Sequence, residues 1–192
     1  MSIAEYVSVF LAIIVGLAVA DLATSFHRLM CARTRVRWDW MSLALAVVML
    51  LETVLFWWGA FQWYRGATAI TIGTFLPDLV LSLLLFLAVA AVLPDEVPAE
   101  GLSLREHYFS SASYFWTLMT LLGLLVVFVL ARRYSVGTPL PAMLAAQWPN
   151  LALTALMAAL VFVRRPWLHK AVVALLVPYT LWTVYPFLIS AR

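Results

Sequence analysis

Residues 40–63 read WMSLALAVVMLLETVLFWWGAFQW, twenty-four residues in which Glu52 is the only charged side chain. A helix on the surface of a soluble protein keeps one polar face, and this run has none. The hydrocarbon core of a bilayer is about 30 Å thick, and a helix crosses it with roughly 20 apolar residues. Backbone N–H and C=O groups in lipid must be satisfied within the segment, which for a run of this length means a helix. Residues 40–63 are therefore expected to span a membrane.

Working outward, five more runs have the same character: about 3–26, 68–93, 108–131, 139–163 and 167–189. Each has an evident stop. The first runs into Arg28, Arg33, Arg35 and Arg37, and the second ends at Arg65 and Gly66. The third meets Pro94, Asp95 and Glu96, the fourth Arg132 and Arg133, and the fifth Arg164, Arg165 and Pro166. Gly73 and Pro77 interrupt the start of the third. A helix starting near Pro77, preceded by an interfacial or re-entrant loop, is the alternative there. The segment Leu102–His107 can form a short helix on the membrane surface. The expected fold class is all-α: a polytopic bundle of about six transmembrane helices in one integral membrane domain covering 1–192.

Composition agrees. Hydrophobic residues make up 66% of the chain and charged residues 11%, against roughly half and a quarter in soluble domains. A chain of 192 residues cannot hide that excess in one core, so the lipid bilayer is the first partner. The net charge of +3 fits loop charges that orient the helices, and nucleic acid is not an expected partner. With both termini outside, the inner loops hold eight of the twelve Lys and Arg residues, Arg28 to Arg37 prominent among them. That orientation satisfies the positive-inside rule. Cys31 is the single cysteine, which excludes an intrachain disulfide and suits a reduced cytoplasmic loop. The first run has acids at both ends and no basic leader, so it reads as a mature helix rather than a cleaved signal.

Ionisable groups inside hydrocarbon cost about 3 kcal/mol each on insertion scales, so the acids within the runs are the candidate site residues. Glu52 is at the middle of the second run. Asp78 is close to the middle of the third, and Asp21 is about 9 Å past the middle of the first at 1.5 Å rise per residue. Near the same depth the fifth run has Gln147, Pro149 and Asn150, and the sixth has Pro178, Tyr179, Thr180 and Thr183. Polar atoms gathered at mid-depth from interrupted helices are how transporters build binding sites. The candidate proton- or ligand-binding set is Glu52, Asp78, Asp21, Asn150 and Tyr179. The competing reading is structural. A neutral carboxyl can donate a hydrogen bond to the next helix, and a proline can be a packing kink. No Lys or Arg lies in the span interiors, so any cation these acids meet comes from outside the bundle. Arg28 is too far along the same helix to reach Asp21 directly.

Other chemistry finds little support. His27, His107 and His169 all fall at span ends, whereas a haem needs axial ligands within the bundle and zinc needs clustered ligands. No cofactor or metal is expected. No Ser-His-Asp spacing or phosphate-binding glycine loop is present, so nothing points to an enzyme. Ala12, Gly16, Ala20 and Thr24 recur every four positions in the first run and permit close approach of another helix. Gly59 shares a face with Glu52. The aromatic run Phe56, Trp57, Trp58, Phe61, Trp63 can be packing or, less readily, a cage for a cation.

The segments Glu5-Tyr6-Val7-Ser8-Val9, Ile14-Val15-Gly16-Leu17, Arg33-Thr34-Arg35-Val36-Arg37-Trp38, Phe56-Trp57-Trp58-Gly59-Ala60-Phe61 and Leu104-Arg105-Glu106-His107-Tyr108-Phe109 together resemble a group of small polytopic membrane proteins of proteobacteria. The likeness covers roughly the first 115 residues. It implies a bacterial inner membrane and brings no activity or site residue with it. Two functional readings stand. One is a small transporter, channel or sensor whose midplane acids bind a proton, cation or small ligand. The other is an accessory subunit that packs into a homo-oligomer or a membrane-protein complex. They differ in whether the acids face a hydrated cavity or a dry helix contact.

Overall fold

A computed structural model describes residues 3–64, 69–134 and 139–189. The helices are α1 (Ile3–Cys31), α2 (Trp40–Tyr64), α3 (Ile72–Ala90), α4 (Leu104–Tyr134), α5 (Leu140–Phe162) and α6 (Pro166–Ile189). All six are long and apolar enough to cross a membrane, so the chain is a multi-pass, all-α membrane protein. Over the 18 most apolar consecutive residues of each span, only 22% to 33% are buried. The outward surface carries Ile13, Leu17, Val47, Leu83, Leu124 and Trp182, an apolar coat that lipid accommodates and water does not. Arg65, Gly66 and Thr68, at the expected junction of the second and third spans, lie outside the described residues, as does Arg192.

The boundaries follow local chemistry. Helix α1 runs beyond the expected 3–26 because its exposed last turn tolerates His27 and Arg28. Asp39 starts α2, its Oδ1 accepting from the Met41 N–H at 2.9 Å and satisfying one of the free donors of the first turn. The third span is shorter than 68–93. It begins at Ile72 because Thr71 and Thr74 form a reciprocal cap: each backbone N–H donates to the other's hydroxyl, at 3.1 and 3.3 Å. Pro77 sits inside α3 and does not start it. It removes the donor that would meet the Gly73 carbonyl, and Arg132 Nη1 donates to that carbonyl instead, at 3.4 Å. The expected surface helix at Leu102–His107 does not form. Leu102–Ser103 is a strand and Leu104–His107 is the first turn of α4.

Helix α1 packs on α2 and α3, α4 packs on α3 and α5, and α6 packs chiefly on α2. Helices α5 and α6 barely touch, although they are consecutive. One apolar core runs through α1–α4 and on into α5 and α6, with Met41, Met49, Leu104, Trp116, Leu160 and Val173 fully buried. Lipid is as apolar as these side chains, so association rests on close packing and on polar contacts between helices.

At the end of the bundle where α1 meets α2 and α3 meets α4, the two connections are joined. Strand β1 (Val36–Arg37) pairs in parallel with β2 (Leu102–Ser103). Arg28 Nη1 donates to the Asp95 backbone oxygen at 2.6 Å, and Ser42 Oγ donates to the Leu104 carbonyl at 3.2 Å. The Arg37–Glu106 ion pair is 2.8 Å long but about three-quarters exposed, where such a pair adds about 0–1 kcal/mol. The turn into β2 depends on Gly101. Its φ is +99°, and an added Cβ would lie 2.8 Å from the Arg35 carbonyl oxygen. Both features disfavour any side chain. Gly101→Ala is expected to cost about 1–2 kcal/mol. Its predicted signature is a lower unfolding midpoint in detergent together with faster proteolytic cutting between residues 94 and 103.

Candidate functional site

Glu52 is at the centre of α2. Thr53, next to it, turns its hydroxyl back to donate to the Met49 carbonyl at 2.7 Å, so it does not compete for the carboxylate. Gly59, two turns on, is buried as expected. Helix α6 faces Glu52 with Thr180, a fully buried residue whose Oγ1 donates to Glu52 Oε1 at 3.0 Å. That is the carboxylate's only hydrogen bond among the described residues. Thr183 Oγ1 turns to the Thr180 carbonyl at 2.8 Å.

Helix α5 supplies the third side. Asn150 follows Pro149, one residue from the middle of the helix. Its Nδ2 donates to Gln147 Oε1 at 2.7 Å, and its Oδ1 accepts from the Tyr179 hydroxyl of α6 at 3.4 Å. Thr154 Oγ1 donates to the Asn150 carbonyl at 2.7 Å. Pro149 cannot donate to the Ala145 carbonyl and Pro178 cannot donate to Ala174, so the regular hydrogen-bond ladder of both helices is broken at this depth. Polar side chains of α5 and α6 thus meet each other and α2, while the helices themselves stay apart.

That separation leaves space. A cavity of about 240 Å³ lies between α2, α4, α5 and α6, walled by Glu52, Gly123, Asn150, Thr154, Tyr179 and Thr183 among others. A second, of about 200 Å³, lies between α2, α3 and α4. Glu52, Leu55, Met119, Leu122 and Val126 stand between the two and line both. Among the described residues, no lysine or arginine lines either one. Glu52 is half-buried rather than sealed, and it lines both spaces, each of which is partly open to the outside of the bundle. Each cavity is large enough for several water molecules or a small ligand.

The five residues expected to form one site divide. Glu52, Asn150 and Tyr179 converge. Asp78 is fully buried but hydrogen-bonds the phenol of Tyr64, which is twelve residues beyond Glu52 on α2, about 18 Å along the axis. It lines neither Glu52 cavity. Tyr64 and Pro77 line a separate space of about 320 Å³ with Arg132 and Thr74. Asp21 is half-buried on α1, and among the described residues no side chain hydrogen-bonds it. The guanidinium of Arg28 goes to the Asp95 backbone instead.

A second polar cluster was not anticipated from sequence. Trp116, Tyr108 and His169 are buried to within 3% of completely. Trp116 Nε1–H donates to the Tyr108 hydroxyl at 3.1 Å, and Tyr108 donates to His169 Nδ1 at 2.7 Å. His169 Nε2–H donates to the Val163 carbonyl, the C-cap of α5, at 2.8 Å. A carbonyl can only accept, so Nε2 carries a proton, and in the neutral imidazole Nδ1 is then the acceptor for the Tyr108 hydroxyl. The sequence signal was only that His169 falls at a span end. The cluster joins α4, the end of α5 and the start of α6, and it leaves no polar atom pointing at open space. Its role is to hold three helices together.

The chain matches no family model, no curated protein and no solved structure.

Proposed function

We propose that this membrane protein is a small transporter, channel or sensor in which Glu52 binds a proton or a cation at the middle of the membrane. The observation that carries the reading is the setting of Glu52: a carboxylate at the centre of a membrane helix, with one hydrogen bond to Thr180 and its remaining surface open to a cavity. A carboxyl that serves only to join helices would be enclosed by its partner. An uncompensated charge in hydrocarbon costs about 3 kcal/mol or more, and no basic residue among the described ones lines the cavity. Charge on Glu52 therefore has to be matched by something that enters. Asn150 and Tyr179 are the supporting polar groups, and the proline-interrupted α5 and α6 suit a site between helices. By the distribution of Lys and Arg we place both termini outside a bacterial inner membrane, in line with the family resemblance of the first half of the chain.

One observation favours association as well. An added Cβ at Gly16 would meet nothing within 4 Å, and Ala20 and Thr24 on the same ridge are exposed. The small-residue ridge of α1 thus faces away from its own bundle, as a contact with a second membrane helix requires. An accessory or homo-oligomeric role rests on that face.

Glu52→Gln keeps size and hydrogen-bonding capacity but cannot carry charge. In liposomes loaded with a pH dye, and with cation flux followed in parallel, the variant is expected to keep an unfolding midpoint close to the parent's and to lose at least about 90% of proton- or cation-dependent signal. Equal signals from parent and variant would reject Glu52 as the binding group and leave the structural role.

A further inference from the structure

We infer that the cation taken at Glu52 is a small organic ammonium with an apolar, preferably aromatic, body; this rests on the reading of Glu52 as a cation site. Two features of the site carry it. The first is the supply of oxygen atoms. A hard metal cation replaces its hydration shell with about six oxygen ligands. Around Glu52 most oxygens are engaged: Asn150 Oδ1 accepts from Tyr179, Gln147 Oε1 accepts from Asn150, and Glu52 Oε1 accepts from Thr180. What remains at the cavity wall is one carboxylate oxygen and the hydroxyl lone pairs of Thr154, Tyr179 and Thr183, with one charged ligand among them. That suits a group needing one strong acceptor and little else, as an ammonium N–H does.

The second is the character of the adjoining space. Apart from Glu52, every described residue lining the second cavity is apolar or aromatic, with Leu55, Phe56, Trp63, Leu81 and Leu85 among them. The rings of Phe56 and Trp63 meet edge to face with centroids 6.3 Å apart, and aromatic walls also favour a nearby cation. A metal ion or a bare ammonium has no apolar body to bury against such a wall. An amphiphilic amine places its charged end at Glu52 and removes its apolar body from water against these side chains. Glu52 belongs to both cavities, so head and body fit side by side.

The test uses the full chain in phosphatidylcholine nanodiscs, with binding read by equilibrium dialysis and by the thermal unfolding midpoint. The probes are 2-phenylethylammonium, 2-phenylethanol as its uncharged counterpart, and ammonium chloride as the head alone. In the parent, 2-phenylethylammonium is expected to bind saturably and at least about tenfold more tightly than 2-phenylethanol, with ammonium chloride giving no shift in midpoint. Glu52→Gln should bring the amine down to the affinity of the alcohol. Equal affinity of amine and alcohol in the parent overturns the inference without needing a folded variant, and so does undiminished amine binding by Glu52→Gln. Failure of amine binding while Glu52-dependent proton or inorganic-cation flux persists overturns the ligand class alone; loss of both rejects the site itself.

Discussion

His169→Ala is expected to lower stability by about 3 kcal/mol, as the sum of a cavity left by a fully buried ring and a hydrogen-bond chain cut at its centre. His169 is 0% exposed. Its removal leaves the Tyr108 hydroxyl without an acceptor and the Val163 carbonyl without its donor. The surroundings cannot easily close over the gap, because Phe109 and Trp116 meet the imidazole edge-on, with centroids 5.4 and 6.3 Å away, and Trp116 is itself fully buried. Tyr108→Phe is the milder companion. It keeps the ring and deletes one hydroxyl, so Trp116 loses its acceptor and His169 loses its donor, for about 1–2 kcal/mol. Unfolding midpoints in detergent should fall in the order parent, Tyr108→Phe, His169→Ala. An alanine variant as stable as the parent would mean that the cluster does not hold α4, α5 and α6 together.

Much of this architecture was legible in the sequence because the length of an apolar run is a local property. Six runs became six helices, and three of them, α2, α5 and α6, start and end within one residue of expectation. The convergence of Glu52, Asn150 and Tyr179 was legible for a related reason. Helices crossing the same slab put residues equally far from their midpoints at similar depth, whatever their neighbours. What depth cannot provide is direction around the helix or the identity of a neighbour. Asp78 passed the depth criterion and still belongs elsewhere, because its partner is set by Tyr64 at the end of α2 and by the Thr71–Thr74 cap that starts α3 late. Gly16 read as a site of close helix approach, yet among the described residues nothing lies within 4 Å of a Cβ added there. His169 was visible as a histidine at a span end, but Tyr108 and Trp116 are on another helix. Only the packing of α4 against the start of α6 makes the three a unit.

Gly123, a lone glycine in α4 with no local signal, is the clearest case of a role that only tertiary contact reveals, and Gly123→Ala is expected to cost about 2–3 kcal/mol. A Cβ there would overlap Thr154 Oγ1 of α5 and lie 3.2 Å from its Cγ2 and 3.3 Å from its Cβ. Threonine is stiff about χ1, and this hydroxyl is already held by the Asn150 carbonyl at 2.7 Å. Rotation out of the way would forfeit that bond, so the two helices must move apart instead. Both residues also line the cavity beside Glu52, so the separation should disturb Asn150 and with it the contact to Tyr179. Gly16→Ala is the matched control within the monomer, where an added methyl meets nothing among the described residues, and it should be neutral or stabilising by up to about 1 kcal/mol. The clash can be isolated by removing its other half. Thr154→Ala alone loses one helix-backbone hydrogen bond, while the double variant Gly123→Ala/Thr154→Ala relieves the overlap, so the two changes should be strongly non-additive, with the double variant more stable than Gly123→Ala alone. Unfolding midpoints of the four proteins in one detergent measure this coupling. Additive effects would show that α4 and α5 do not meet at Gly123 and Thr154, and would remove one wall of the proposed site.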